Sequence, residues 1–259
     1  MNKLSLFVSV VALGAFLGAG CQSNVGANLN NGNATSAAAG DQGTAKGKVI
    51  FSITDTDAAA SMQGVTAVQM TIDKIEMHSA TKGWVNVSND TKTFDLLTLK
   101  ASGLTKLAAE TNVAVGAYNQ IRVHVKKIVV VKNGVSTEAK LPSNELKLNG
   151  IFNVNADAVT SVKLDIIVSQ SLHITGKGKF IFAPVIKLES RSNATVQVGS
   201  DGFVSISGGK VNTNIMAGMD IKGEEKENFK LDADSNMEIN DEGVIELKSG
   251  LKVKVGAQD

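Results

Sequence analysis

The chain has 259 residues with 26 Lys and Arg against 25 Asp and Glu, and it contains one Trp and one Tyr. That balance excludes the basic, aromatic-interleaved stripe by which nucleic-acid binders hold phosphate and bases, so no nucleic-acid partner is expected. A single cysteine excludes an internal disulfide and leaves the thiol to be modified, paired between chains, or free.

The N-terminus is built as an export signal. Lys3 supplies the positive charge, Leu4 to Leu17 form the apolar run, and the small residues Gly18, Ala19 and Gly20 lead to Cys21. The run is shorter than the ~20 residues that cross a bilayer. The segment resembles the bacterial lipoprotein signal, which implies that Cys21 becomes the first mature residue and carries the lipid. It departs from that pattern in having Leu17 four places before the cysteine and Gly18 in the slot where Leu is usual. Gln22, rather than Asp, follows Cys21, and by the same resemblance this points to the outer membrane. At ~0.8 kcal/mol per buried CH₂, three acyl chains would make attachment effectively permanent. The partner predicted for Cys21 is therefore the membrane itself.

Residues 22–45 are mostly Asn, Gly, Ala, Ser and Thr, with Asp41 as the sole charge. This composition cannot bury enough apolar surface to offset the entropy of ordering, so a flexible tether is predicted. A random-coil chain of that length spans roughly 25–30 Å.

From Lys48 onward the pattern is alternation broken by turn residues, which predicts antiparallel strands with one buried face. Val49, Phe51 and Ile53 form one such run. Ile121, Val123 and Val125 form another, and Val162, Leu164, Ile166 and Val168 a third. Asn133-Gly134 is a type I′ hairpin signal, and Gly176-Lys177-Gly178 joins Leu172–Ile174 to Phe180–Phe182. Pro142 and Pro184 suit a strand start or edge. Phe94 to Leu99 reads as either a short helix or a strand, and Leu104 to Ala109 as a brief helical turn. Val115-Gly116-Ala117-Tyr118 has the spacing of the tyrosine corner of sandwich folds, although a half-buried aromatic would account for it equally. The expected fold is all-β: an antiparallel β-sandwich, immunoglobulin-like or transthyretin-like, over 46–198.

Several segments in this order resemble one family: Ile53-Thr54-Asp55, Ile75-Glu76-Met77-His78, Gly83-Trp84-Val85, Phe94-Asp95-Leu96-Leu97, Val115 to Arg122, Leu141-Pro142-Ser143, Leu164-Asp165 and Phe182 to Ile186. It is the bacterial lipoprotein family called domain of unknown function 4382, and the likeness spans about Lys46 to Leu188. The chain departs from that family's prolines at Thr56-Asp57 and at Ala114-Val115. The resemblance implies export and a β-rich domain, with no activity attached.

Beyond Val198, Asp201-Gly202, Gly208-Gly209, Glu242-Gly243 and Ser249-Gly250 punctuate short runs, which predicts a small β extension over 199–259. Packing on the first domain, loose self-pairing and partial disorder all fit its composition. Gly223 to Asn228 reads as a charged, solvated loop.

The candidate chemistry is sparse. His78, His124 and His173 each fall on the polar side of a strand, and Glu76 with His78 could form a surface metal pair; their spacing favours solvated residues. Asp232, Asp234, Asn236 and Glu238 alternate oxygen ligands but lack the Gly and the final acid of an EF-hand loop. Asp55 and Asp57 are turn-forming acids that could also hold calcium. Ser79 and Lys82 match the S-x-x-K spacing at a turn, without a helix start to align a nucleophile with its base. Asp95 and Asp165 suit a cap and a pairing with Arg122 or a lysine.

The sequence thus predicts a lipidation site at Cys21, with no catalytic, cofactor-binding or metal residue assigned. The expected function is non-enzymatic: an envelope lipoprotein presenting a surface to a protein or glycan partner. The alternatives are a hydrolase in which Asp95, Asp165 or a histidine converges in a cleft, and a structural accessory of an outer-membrane complex.

Overall fold

The computed structural model describes residues 45–57, 62–232 and 235–248. Cys21, Asp234, Ser249-Gly250 and all but the last residue of the expected tether lie outside the described residues. The chain runs through β1 (Lys46–Thr54), β2 (Val65–Ser79), β3 (Gly83–Ser88), β4 (Lys92–Asp95), α1 (Leu96–Ser102), β5 (Lys106–Ala114), β6 (Gly116–Lys132), β7 (Val135–Ala139), β8 (Glu145–Val154) and β9 (Val159–Ile166). It continues through α2 (Val168–Ser171), β10 (Leu172–Ile174), β11 (Phe180–Phe182), β12 (Val185–Ser192), β13 (Thr195–Val198), β14 (Val204–Ser207), β15 (Lys210–Met219), β16 (Glu225–Glu227), β17 (Met237–Ile239) and β18 (Ile245–Leu247). Among these described residues, no helix is long and apolar enough to cross a membrane.

The architecture is an all-β sandwich. One sheet has the order β16-β15-β12-β9-β1-β5; the other is β3-β2-β6-β7, with β4 on the remaining half of β2 and β8 on the remaining half of β6. Val49, Phe51 and Ile53 from the first sheet share a buried core with Met70, Ile72, Ile121 and Val123 from the second. Full burial of each such aliphatic or aromatic side chain contributes ~1.5–3 kcal/mol.

Every pairing within the two sheets is antiparallel except that of β1 with β9, which is parallel. This pair departs from the predicted one-sided burial. Ile50, Ser52 and Thr54, on the face opposite Val49, Phe51 and Ile53, are buried as well, and most of β9 is buried on both faces. Parallel neighbours enclosed from both sides are the usual setting for such strands. The periodic run ends at Ile166, and Val168 opens α2 instead of extending the strand.

The turn chemistry is as expected at Asn133-Gly134, whose φ values of 51° and 78° make the β6–β7 connection a type I′ turn. Phe94 to Leu99 divides into strand and helix at Asp95. The Asp95 carboxylate accepts from the amides of Leu97 and Thr98 and starts α1, which buries Leu96 and Leu99. The helical turn expected from Leu104 to Ala109 is not formed, since Lys106–Ala114 is β5, paired with β1 along its length. Tertiary pairing with β1 overrides the local preference there.

Tyr118 is 1% exposed, and its hydroxyl donates to the Ala114 carbonyl at 2.8 Å, the bond that defines a tyrosine corner. Beyond Val198, β15 pairs with β12 and β16 with β15, so these residues extend the first sheet. The segment expected as a solvated loop at Gly223 to Asn228 contains β16. There Glu225 accepts from the Lys147 amide, and burial raises its carboxyl pKa. Gly218 permits the close approach at this edge, because a Cβ there would lie 1.9 Å from the Phe229 carbonyl oxygen. A second apolar cluster, with Ile181, Leu231, Met237 and Ile245, joins the β10–β11 hairpin to β17 and β18.

Candidate functional site

Directly paired residues of neighbouring strands project from the same face of a sheet. Trp84 on β3 lies opposite His78 on β2, His78 opposite Gln120 on β6, and Gln120 opposite Asn149 on β8. These four residues form one transverse row on the outer face of the second sheet. Asn119 joins them because the β6–β8 register shifts between Tyr118 and Gln120, a bulge that re-aims the extra side chain. The His78 Nδ1 lies 3.0 Å from Asn119 Oδ1, and Gln120 Nε2 donates to Asn149 Oδ1 at 2.7 Å.

Trp84 is 37% exposed. The Arg122 guanidinium lies over one face of its ring, 4.1 Å from the centroid, and the His78 ring leans on it at 5.0 Å and 58°. Such stacking fixes the indole and leaves the rest of its apolar surface presented to solvent. Arg122 in turn sits between Glu76, at 3.9 Å, and Glu145, at 3.6 Å, so its charge is locally matched.

The row leads into a seam between the two sheets where β8 meets β15. Gly150 keeps that approach close: a Cβ there would meet the Phe152 ring at 2.9 Å and Thr213 Oγ1 at 3.0 Å. Thr213 Oγ1 accepts from the Ile151 amide at 2.7 Å and donates to the Ile151 carbonyl at 3.0 Å, and Ser190 Oγ donates to the same carbonyl. Hydroxyls thus replace the backbone ladder between these edges.

On either side of this seam lie two cavities. One, of about 460 Å³, is walled by Asn119, Asn149, Asn212 and Asn214. The other, of about 550 Å³, is walled by Asn153, Asn155, Asn193 and Asn212. Asn212 lines both cavities, and Asn119 and Asn149 beside Trp84 line the first, so a line of carboxamides, the asparagine groove, runs from the Trp84 row past both. Asn155 Nδ2 donates to Asn193 Oδ1 at 2.9 Å, and Asn153 Nδ2 to Asn212 Oδ1 at 3.4 Å. The Nδ2 of Asn212 is buried with no partner. Lys210 and Glu227 are the charged residues of the lining, one in each cavity. Carboxamides carry donor and acceptor on one small group, so the groove can exchange hydrogen bonds in both senses with an uncharged polyhydroxylated ligand.

The other residues singled out in the sequence are dispersed. His78 belongs to the Trp84 row, whereas His124 Nδ1 pairs with Asp73 at 2.5 Å. His173 lies on no polar face: it is 7% exposed, and burial lowers its pKa to about 4. Glu76 is held by Lys74 at 2.8 Å. Asp95 caps α1, and Asp165 accepts from the amide and hydroxyl of Thr56. Lys82 Nζ donates to the Val115 carbonyl, while Ser79 Oγ lies 3.2 Å from Thr81 Oγ1, so the S-x-x-K pair does not act together. Glu238 binds Lys248 at 2.6 Å. Among the described residues, no group of three or more His, Cys, Asp or Glu is placed to hold a metal ion.

Asp55 is the turn-forming acid expected, its Oδ1 accepting from the Asp57 amide at 3.2 Å, but it is buried. It is 0% exposed with Oδ2 unpartnered, and burial raises its pKa to about 6 against the smaller opposing effects of the Asp57 amide and Lys100. Asp57 instead accepts from Ser169. The asparagine groove escaped the sequence because its members come from four separate segments. The one available signal was the recurrence of Asn at alternate positions, in Asn153 and Asn155 and again in Asn212 and Asn214.

No curated protein matches the chain, and no solved structure does. A family model matches residues 46–184, ending at Pro184 immediately before β12, so the matched segment holds the whole second sheet and β5, β1 and β9 of the first. On that match, which covers more than half of its length, the chain belongs to the family described as Domain of unknown function (DUF4382).

Proposed function

We propose that this protein is a cell-envelope lipoprotein, held to the outer membrane through Cys21, whose β-sandwich binds an uncharged glycan along the Trp84 row and the asparagine groove. The observation that carries the glycan reading is an exposed indole in the same row as carboxamides that line the neighbouring groove. A sugar ring presents apolar C–H faces and polar hydroxyl edges, and these match an aromatic surface beside carboxamides. A charged peptide or nucleic acid would demand a compensating charge that the lining has little of. The protein acts in this reading by holding a ligand, without turnover.

Because Trp84 is the only tryptophan of the chain, its emission reports this surface directly. Neutral oligosaccharides that bind on a glycan array are expected to shift or quench that emission saturably. Trp84→Ala should weaken array binding at least tenfold, and Asn212→Ala about fivefold, the weight of one neutral hydrogen bond. An array with no bound glycan, or binding indifferent to both substitutions, removes the glycan reading. Anchoring is tested separately by mass spectrometry of the N-terminal peptide from membranes: a triacylated Cys21 supports it, and an unmodified N-terminus in a soluble fraction ends it.

A further inference from the structure

Ile151 is 55% exposed, and it lines the same cavity as Asn119, Asn149, Asn212 and Asn214. It stands two residues beyond Asn149 on β8. Leu148 and Phe152 are buried on the other side of that strand, so Asn149 and Ile151 both project from the outer face of the second sheet. The charged groups nearby are few. Glu227 lines the cavity, and Lys147, the outward residue on the far side of Asn149, is held by Glu145 at 3.3 Å.

A single exposed isoleucine is ordinary in itself. This one is rigidly mounted. Its amide donates to Thr213 Oγ1, and its carbonyl accepts from Thr213 Oγ1 and Ser190 Oγ, so the backbone beneath the side chain is fixed to the opposite sheet. β-Branching restricts χ1 as well, and covering the side chain therefore costs little conformational entropy. The same three bonds occupy the backbone groups that a peptide would need to add a strand at this point, which disfavours an extended peptide. Trp84 is the second apolar surface on this face, at the other end of the row that runs through His78, Gln120 and Asn149. Three strand spacings of ~4.8 Å separate β3 from β8, and two residues of strand rise separate Asn149 from Ile151, which places the two apolar surfaces ~16 Å apart. A pyranose unit advances a linear chain by roughly 5 Å at single-bond lengths of about 1.5 Å. Given the glycan reading, on which this rests, we propose that Trp84 and Ile151 are the two ends of one site, and that its ligand is an unbranched neutral oligosaccharide of at least four units. The end rings lay their apolar faces on the indole and on the isoleucine, while the hydroxyls between them bond to Asn119, Gln120 and Asn149.

The full chain is titrated by calorimetry with cello-, malto- and manno-oligosaccharides of two to six units. In a series that binds, affinity is expected to rise at least tenfold from the disaccharide to the tetrasaccharide. Ile151→Thr keeps a β-branched strand residue and removes apolar surface. It should weaken the tetrasaccharide about fivefold and leave the disaccharide, held at the indole, unchanged. Ile151→Val should retain the gain with length, and the thermal melts of both variants should match that of the wild type, as for other exposed side chains. A disaccharide bound as tightly as the tetrasaccharide overturns the proposal. So does a Thr variant that weakens neither length, or both alike. Failure of all three series to bind overturns it too, and the array then decides the glycan reading by itself: glycans bound there keep that reading, and an empty array ends it.

Discussion

Asp55 closes the end of β1 with one carboxylate oxygen unpartnered, and its folded-state pKa of about 6 lies above the ordinary value near 3.8. The folded state therefore binds the Asp55 proton more tightly, and its stability falls as pH rises from about 4 to about 6. His173 acts in the other direction. With a folded-state pKa of about 4 against 6.5, it loses stability as pH falls from about 6.5 to about 4. Each shift corresponds to about 3 kcal/mol, so in the wild type the two nearly cancel. Relative to wild type, Asp55→Asn should lose stability on acidification from pH 7 to 4.5, and His173→Leu should gain it. Urea unfolding at the two pH values checks this, and parallel profiles for all three proteins would contradict it. Tyr118→Phe should cost about 1 kcal/mol in the same assay, through the lost bond to Ala114. Tyr118 was legible in the sequence because Gly-x-Tyr spacing is local. His173 was not, because the hairpin that carries it packs against a cluster that includes Leu231, far along the chain.

Elements that depend on local chemistry read well from the sequence. The β6–β7 turn is one, and its Gly134 isolates the backbone contribution, since a Cβ there would meet nothing within 4 Å while φ is 78°. Gly134→Ala should therefore destabilise by about 1–2 kcal/mol through conformation alone, measured as a shift in urea midpoint at constant slope. Elements whose character is set by distant neighbours read poorly. The alternation of Val49, Phe51 and Ile53 identified β1 as a strand, but nothing nearby in the chain reveals that Ser52 and Thr54 are covered too. Lys106–Ala114 is a strand because β1 is beside it. The asparagine groove has the same origin: β8 and β15 are each recognisable as strands, and only their meeting through Gly150 and Thr213 makes a site.

At the scale of the whole molecule, the 199–259 segment cannot be weighed by its composition. β15 covers the exposed edge of β12 over Val185 to Ser192 and supplies Asn212 and Asn214 to the groove. A chain ending at Val198 should therefore fail to give a cooperative unfolding transition, where the full chain gives one; a sharp transition from the shortened chain would show that the first sheet closes without β15. The parallel pairing of β1 with β9 has a kinetic consequence. Lys48 lies beside Val159, so the first strand cannot take its central place until more than a hundred further residues are available. Loop closure on that scale has to precede the contacts that reward it, which sets folding in the slow regime of non-local β-proteins. Until then β5 alone can pair with β1, and the other edge of the earliest strand to be made stays open.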